Sequence, residues 1–105
     1  MATAGPETKL VKKMLAKING MDGCEARKVH GSRYSSGEPD IDAVLWGIPL
    51  KVEVKALSGG KPTPLQEARL RAWHKAGAIT GWVNSMEELE ELIETCRRKA
   101  IRDGN

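Results

Sequence analysis

Two short acidic motifs are the part of this 105-residue chain best suited to chemistry. The first, Gly37–Asp40, ends in an aspartate, and the second, Glu53–Lys55, places a glutamate two positions before a lysine. Carboxylate oxygens on neighbouring strands are the ligands that hard divalent cations prefer. A cation beside a lysine suits hydrolysis of a phosphodiester bond, because the cation lowers the pKa of a water molecule and offsets charge in the transition state.

Two strands must position these acids. Apolar residues alternate with polar ones over residues 40–46 and again over 49–57, which predicts a pair of strands joined at Gly47 and Ile48. The alternate apolar side chains form the face that belongs in the core. The acids and the lysine occupy the other positions, so we expect them on the opposite face of the sheet.

The expected turn decides which residues lie across from one another. If position 46 opposes position 49, Asp42 faces Glu53 and Asp40 faces Lys55. Asp40 and Glu53 are then diagonal neighbours with Cα atoms ~7–8 Å apart. Two carboxylates at that distance are able to share one cation. Asp42 lies on the same face, and the register alone leaves open whether it joins the site or is a solvated or supporting acid.

The rest of the chain predicts three helices and two further strands. The predicted helices cover residues 6–19, 64–76 and 86–101, and the further strands cover residues 25–34 and 78–83. The order α-β-β-β-α-β-α describes an α/β fold, with a mixed sheet flanked by helices in a single domain over residues 1–105.

Charge favours a polyanionic partner, of which nucleic acid is the commonest. The net charge is +3, and residues 1–84 carry 13 Lys and Arg against 8 Asp and Glu. No apolar stretch approaches the ~20 residues of a membrane span, and we find no secretory signal. Cys24 and Cys96 lack the spacing of a metal motif, so we expect free thiols and a cytoplasmic protein.

The motifs resemble those of the virus-type replication-repair nuclease (VRR-NUC) domain, in the PD-(D/E)xK nuclease superfamily. That family combines a helical Glu, G-x-P-D, E-x-K, a Gly-rich loop and a helix that opens with Pro-x-Gln. The matching elements here are Glu7, Gly37–Asp40, Glu53–Lys55, Ser58–Gly60 and Pro64–Gln66. The resemblance spans about residues 5–95 and implies a restriction-endonuclease-like core whose activity depends on Mg²⁺ or Mn²⁺.

The resemblance also implies roles for individual residues. The expected metal ligands are Asp40, Glu53, Glu7 and the main-chain carbonyl of Val54. Lys55 would contact the attacking water or the scissile phosphate and stabilise charge there. Whether Lys55 also acts as a base is left open by the sequence.

Two of the implied site residues have an alternative explanation. An acid such as Glu7 is favourable in the first turn of any helix because of the helix dipole. Gln66 would complete a capping box with Thr63, the residue expected at the N-cap of the second helix. The resemblance instead places Gln66 at the site, where it would orient water or phosphate, and we favour that assignment.

Basic residues near the motifs are the expected contacts with nucleic acid. They are Lys28 and Arg33 before the first motif, and Lys61, Arg69, Arg71 and Lys75 in or before the second helix. Trp73 and Trp82 are expected in the core rather than as surfaces on which bases stack.

The resemblance implies DNA as substrate, with a preference for branched DNA such as a four-way (Holliday) junction or a flap. The family's short members resemble phage or bacterial proteins that act as homodimers, which would place two sites for paired cuts. Restriction-like cleavage and a non-catalytic DNA-binding domain are the alternatives. The intact Asp40, Glu53 and Lys55 favour catalysis, since a domain that only binds DNA does not need all three.

Overall fold

Three helices surround one four-stranded sheet in the computed structural model, which describes residues 5–30, 36–57 and 60–104. The helices are α1 (Pro6–Asn19), α2 (Pro64–Lys75) and α3 (Met86–Arg102), and the strands are β1 (Cys24–Lys28), β2 (Ile41–Leu45), β3 (Ile48–Val54) and β4 (Ile79–Val83). The observed order α-β-β-β-α-β-α confirms the predicted fold class. No helix in the described parts of the chain has the length and apolar character needed to cross a membrane.

The strands lie side by side in chain order, β1-β2-β3-β4. β1, β2 and β3 are antiparallel neighbours, whereas β4 pairs with β3 in parallel. The connection between two parallel strands must cross over the sheet, and α2 makes that crossing. The first turn of α2 therefore lies at the end of the sheet where β3 and β4 terminate.

The hydrophobic core lies on the face of the sheet that α1 and α3 cover. Its centre consists of alternate side chains of β2 and β3, which are Ile41, Ala43, Leu45, Ile48, Leu50, Val52 and Val54. The helices add Val11, Met14 and Ile18 from α1 and Leu89, Ile93 and Cys96 from α3. Full burial of each large aliphatic side chain contributes about 1.5–3 kcal/mol, so this face holds the sheet in place while the other face is free to carry polar groups.

Both cysteines are free thiols, as the sequence predicts. Cys96 is buried in the core on α3, and burial raises the pKa of its thiol to about 11. Cys96 is therefore protonated and packs as a small apolar side chain.

The turn between β2 and β3 lies one residue earlier than expected, so the predicted register was wrong. Leu45 pairs with Ile48, and the turn residues are Trp46 and Gly47. Both have positive φ, 53° and 85°, the conformation that matches the twist of a two-residue hairpin. Ile48 is instead 2% exposed in the core, and a β-branched residue is strongly disfavoured at positive φ.

β1 is shorter than the predicted strand over residues 25–34. It ends at Lys28, although the backbone N–H of Val29 still donates to the carbonyl of Asp40 at 2.7 Å. Positions 31–34 of the predicted strand lie outside the described residues.

Candidate active site

Asp40 is held against the end of β3 by a backbone hydrogen bond. It immediately precedes β2, and its Oδ2 accepts a hydrogen bond from the backbone N–H of Val54 at 2.8 Å. In the observed register Ile41 pairs with Val52. One residue further out, the same register places Asp40 across from Glu53, so the two acids are closer neighbours than the expected diagonal arrangement.

Glu53 is an acid almost fully removed from solvent. It is 2% exposed, which is rare for a carboxylate. Burial and then the negative charge of Asp40 raise the pKa of Glu53 from 4.5 to about 7, while the nearby Lys55 acts to lower it. Two acids whose proximity raises a pKa in this way are typical of functional sites.

One carboxylate oxygen of Glu53 is buried without a hydrogen-bond partner. Oε2 lies 3.5 Å from Nζ of Lys55, whereas Oε1 has no partner among residues 5–30, 36–57 and 60–104. An orphaned, buried carboxylate oxygen costs free energy. A cation bound between Glu53 and Asp40 would remove that cost, so the donor set fits a metal ion.

The acid pair fits Mg²⁺ or Mn²⁺ better than a cation that demands many protein ligands. Within the described chain, no three His, Cys, Asp or Glu side chains form a group able to hold a metal. Mg²⁺ is commonly bound through one or two carboxylates, with water and substrate phosphates as its other ligands. Glu7 lies in the first turn of α1 and joins no such group. The assignments of Glu7 and of the Val54 carbonyl as ligands stay predictions.

Lys55 lies immediately after β3, beside the acid pair. Its side chain is only 14% exposed, and its backbone N–H donates to the carbonyl of Val83 at 2.9 Å. This bond to β4 fixes the start of the Lys55 side chain, and the Nζ atom is 3.5 Å from Glu53. The ammonium group of Lys55 therefore supplies positive charge next to the Glu53 carboxylate.

Gln66 forms the capping box that the sequence offered as its alternative role. Its Oε1 accepts from the backbone N–H of Thr63 at 2.9 Å, and its own N–H donates to Oγ1 of Thr63 at 3.2 Å. The side-chain oxygen of Gln66 is thus engaged in the cap at the N-terminus of α2. Contact of Gln66 with water or phosphate stays a prediction.

The loop before Asp40 packs tightly against α2 through a glycine. Gly37 has φ +81°, and a Cβ atom at this position would lie 2.6 Å from Cγ of Leu65. A residue with a side chain would be strained there in backbone and in packing alike. The glycine of the G-x-P-D motif therefore lets the loop approach the helix.

Glu38 ties the same loop to α2 with two hydrogen bonds, an anchor that the sequence did not predict. Its carboxylate accepts from Nε of Arg69 at 2.8 Å and from Nε1 of Trp73 at 2.9 Å. Arg69, expected to contact DNA, thus pairs with Glu38. No signal in the sequence joined these residues, apart from the position of Glu38 inside the motif.

Asp42 belongs to a separate ion pair on the same face of the sheet. Its Oδ1 lies 2.6 Å from Nζ of Lys51, which also lies 4.0 Å from the ring centroid of Trp73. Asp42 therefore faces Lys51 and not Glu53, contrary to the expected register.

The remaining basic candidates are spread over the surface. Lys28, Lys61, Arg71 and Lys75 are exposed. Arg33, together with Ser58 and Gly59 of the Gly-rich loop, lies outside the described residues.

Trp82 is not the core residue that the sequence predicted. It is 41% exposed, and it pairs with Glu53 in the parallel register between β3 and β4. Gly81 and Val83, on either side of it, face α3 and the core. Trp82 therefore points to the polar face, whereas Trp73, a residue of α2, is half-buried and donates a hydrogen bond to Glu38 of the site loop.

Two solved structures share this architecture. One, described as a VRR_NUC domain, is 30% identical in sequence and superposes with a TM-score of 0.73, covering 87% of this chain and 97% of that one. The other, described as a VRR_NUC domain protein, is 15% identical and superposes with a TM-score of 0.65, covering 90% of this chain and 89% of that one. At this identity the likeness supports the fold alone. No family model and no curated protein matches the sequence. With its fold and 30% identity across nearly all of the first structure, the chain belongs to the VRR-NUC family of nuclease domains.

Proposed function

We propose that this protein is a metal-dependent endonuclease that hydrolyses phosphodiester bonds in DNA. The observation that carries the proposal is the acid pair of half-buried Asp40 and buried Glu53, in which one Glu53 oxygen has no partner in the described chain. The charge of Lys55 lies at the same place. Membership of a nuclease family supports the reaction class, and the acid pair supports dependence on a metal ion.

Each group at the site has a distinct task in this proposal. Asp40 and Glu53 would hold Mg²⁺ or Mn²⁺, which, when bound, would activate a water molecule and offset charge on the phosphate. The hydrogen bond from Val54 holds the Asp40 carboxylate in position. Lys55 would stabilise the negative charge that develops on the scissile phosphate, because its ammonium group is fixed within 3.5 Å of Glu53.

We propose branched DNA as the substrate and a homodimer as the active form. The exposed basic residues would contact phosphates beyond the cut, and contacts of that kind position DNA without reading its sequence. In this proposal each copy would cut one strand at its acid pair. Two copies would bring two sites to a symmetric junction for paired cuts.

Cleavage assays on defined DNA substrates test this proposal. Labelled linear duplex, flap and four-way DNA are each incubated with Mg²⁺, Mn²⁺ or a chelator. We expect metal-dependent cleavage that is strongest on branched DNA. Asp40→Ala and Glu53→Ala should lower its rate by at least about 100-fold and leave DNA binding intact. Glu87→Ala is the matched control, because it removes an exposed acid from α3.

Several outcomes would contradict the proposal. If Glu53→Ala cleaves as fast as the parent, the site is wrongly placed. A sequence-specific ladder on linear DNA would indicate a restriction-like enzyme, and binding without cleavage in either metal would indicate a non-catalytic domain. Light scattering that finds one copy of the chain on four-way DNA would refute the dimer.

A further inference from the structure

Trp82 lies beside the acid pair, on the same face of the sheet. It is the residue of β4 that pairs with Glu53 of β3. Side chains of residues in register on adjacent strands project to the same side, and the strands are about 4.8 Å apart. The Trp82 side chain therefore starts one strand away from Glu53 and projects from the same face of the sheet.

Trp82 also differs from the other two tryptophans in what it contacts. Trp46 donates from Nε1 to the carbonyl of Asp22, and its ring lies 4.4 Å from the guanidinium of Arg97. Trp73 is tied to the site loop and lies against Lys51. Trp82 instead keeps 41% of its surface in solvent on the edge strand of the sheet.

The charges around Trp82 restrict the direction from which DNA can approach. On the side of α3, Trp82 borders a shallow pocket lined by Glu88 and Glu91, which would repel phosphates. On the side of the acid pair, Lys55 supplies positive charge. A nucleotide is therefore favoured where its phosphate lies toward Lys55 and its base lies over the indole.

We propose that Trp82 is a stacking surface for an unpaired DNA base next to the scissile phosphate, and that this contact selects branched DNA. The inference rests on the proposed nuclease function. A base is one sugar away from its phosphate, so a phosphate at the acid pair brings its own base or the next one to the neighbouring strand. A base inside an intact duplex is already stacked on both faces. A base at a flap or junction is available to stack on an aromatic ring.

Binding measurements with Ca²⁺ in place of Mg²⁺ test this inference without cleavage. The probes are a flap DNA with 2-aminopurine at an unpaired position near the branch and a fully paired duplex of equal length. We expect Trp82→Ala to weaken flap binding by about 5- to 150-fold, the range found for loss of one stacked base. Binding to the duplex should change less than about 2-fold, since no base there stacks on the ring.

Two control variants separate stacking from folding. Trp82→Phe keeps an aromatic ring and should bind the flap nearly as well as the parent. Trp46→Phe, at the β2–β3 turn, should bind like the parent on both probes. In the parent, the fluorescence of the unpaired 2-aminopurine should fall when the flap DNA binds, because the base stacks on the indole ring. This measurement uses the parent alone, so it does not depend on whether any variant folds.

The results distinguish the inference from the proposed function. Equal losses on flap and duplex after Trp82→Ala, no loss on either, or no quenching in the parent would overturn the stacking role. Quenched, Trp82-dependent flap binding without cleavage in Mg²⁺ or Mn²⁺ would uphold the stacking role and refute the nuclease.

Discussion

Replacing Glu53 with glutamine should stabilise the metal-free protein at alkaline pH. Glu53 is 2% exposed, and its pKa is raised from 4.5 to about 7. Each pKa unit corresponds to about 1.4 kcal/mol of folding free energy, so the ionised carboxylate costs about 3 kcal/mol. A neutral glutamine of nearly the same shape avoids that cost.

The stability advantage of Glu53→Gln over the parent should grow as the pH rises. Between pH 4.5 and about 7 the folded protein keeps a proton on Glu53 that the unfolded chain has released, so the parent loses stability as the pH rises through this window. Below the window both states are protonated, and above it the full cost is present. The advantage of Glu53→Gln over the parent should therefore be about 1 kcal/mol at pH 5 and about 3 kcal/mol at pH 8.

Urea denaturation of parent and variant at these two pH values, with a chelator present, measures the effect. Glu87→Gln is the control, since Glu87 is exposed on α3, and its stability relative to the parent should not change between the two pH values. Added Mn²⁺ should stabilise the parent and not Glu53→Gln, because a ligand that binds only the folded state raises stability. A variant that is no more stable than the parent at pH 8 would refute the reasoning.

Two further predictions concern the contact between the site loop and α2. Gly37→Ala and Gly60→Ala place a side chain at φ +81° and +78°, which costs each about 1–2 kcal/mol. Only Gly37→Ala also crowds Leu65, so thermal melts should show it about 1–3 kcal/mol less stable than Gly60→Ala, and equal losses would contradict the close approach of the loop to Leu65. Glu38→Ala leaves its two donors on α2 without a partner, which should cost about 1–3 kcal/mol. In cleavage assays Glu38→Ala should lower kcat more than it raises KM, and the kcat of Glu38→Gln should lie between those of Glu38→Ala and the parent. An unchanged kcat in Glu38→Ala would exclude a role of Glu38 in positioning Asp40.

The strands and their acids were predictable because their signal is local. Alternation along residues 40–46 and 49–57 identified the buried face, and Asp40 and Glu53 followed from it. The register was not predictable in the same way, since it depends on whether Ile48 enters the turn or the core. The core requires Ile48, and that preference becomes visible only when α1 and α3 cover the sheet.

The anchor at Glu38 and the position of Trp82 depend on contacts between distant parts of the chain. Arg69 and Trp73 follow Glu38 by 31 and 35 positions, so no spacing rule connects them. Trp82 is apolar and suggests the core by its type, but its place in β4 puts it on the polar face beside Glu53. For Trp82, the position in the strand and not the residue type determines which face of the sheet the side chain occupies.

The sheet sets the separation of the two acids, and the loop before Asp40 is held to α2 by Glu38. Glu53 lies on β3, which has a bonded strand on each side, and Asp40 is tied to the same strand through Val54. Exposed side chains on α2 and at the edge of β4 can therefore change without moving the carboxylates. Substrate preference can therefore evolve through exposed residues of α2 and β4, while ion affinity depends on the central strands. A substrate preference can be engineered in this domain without changing the central strands.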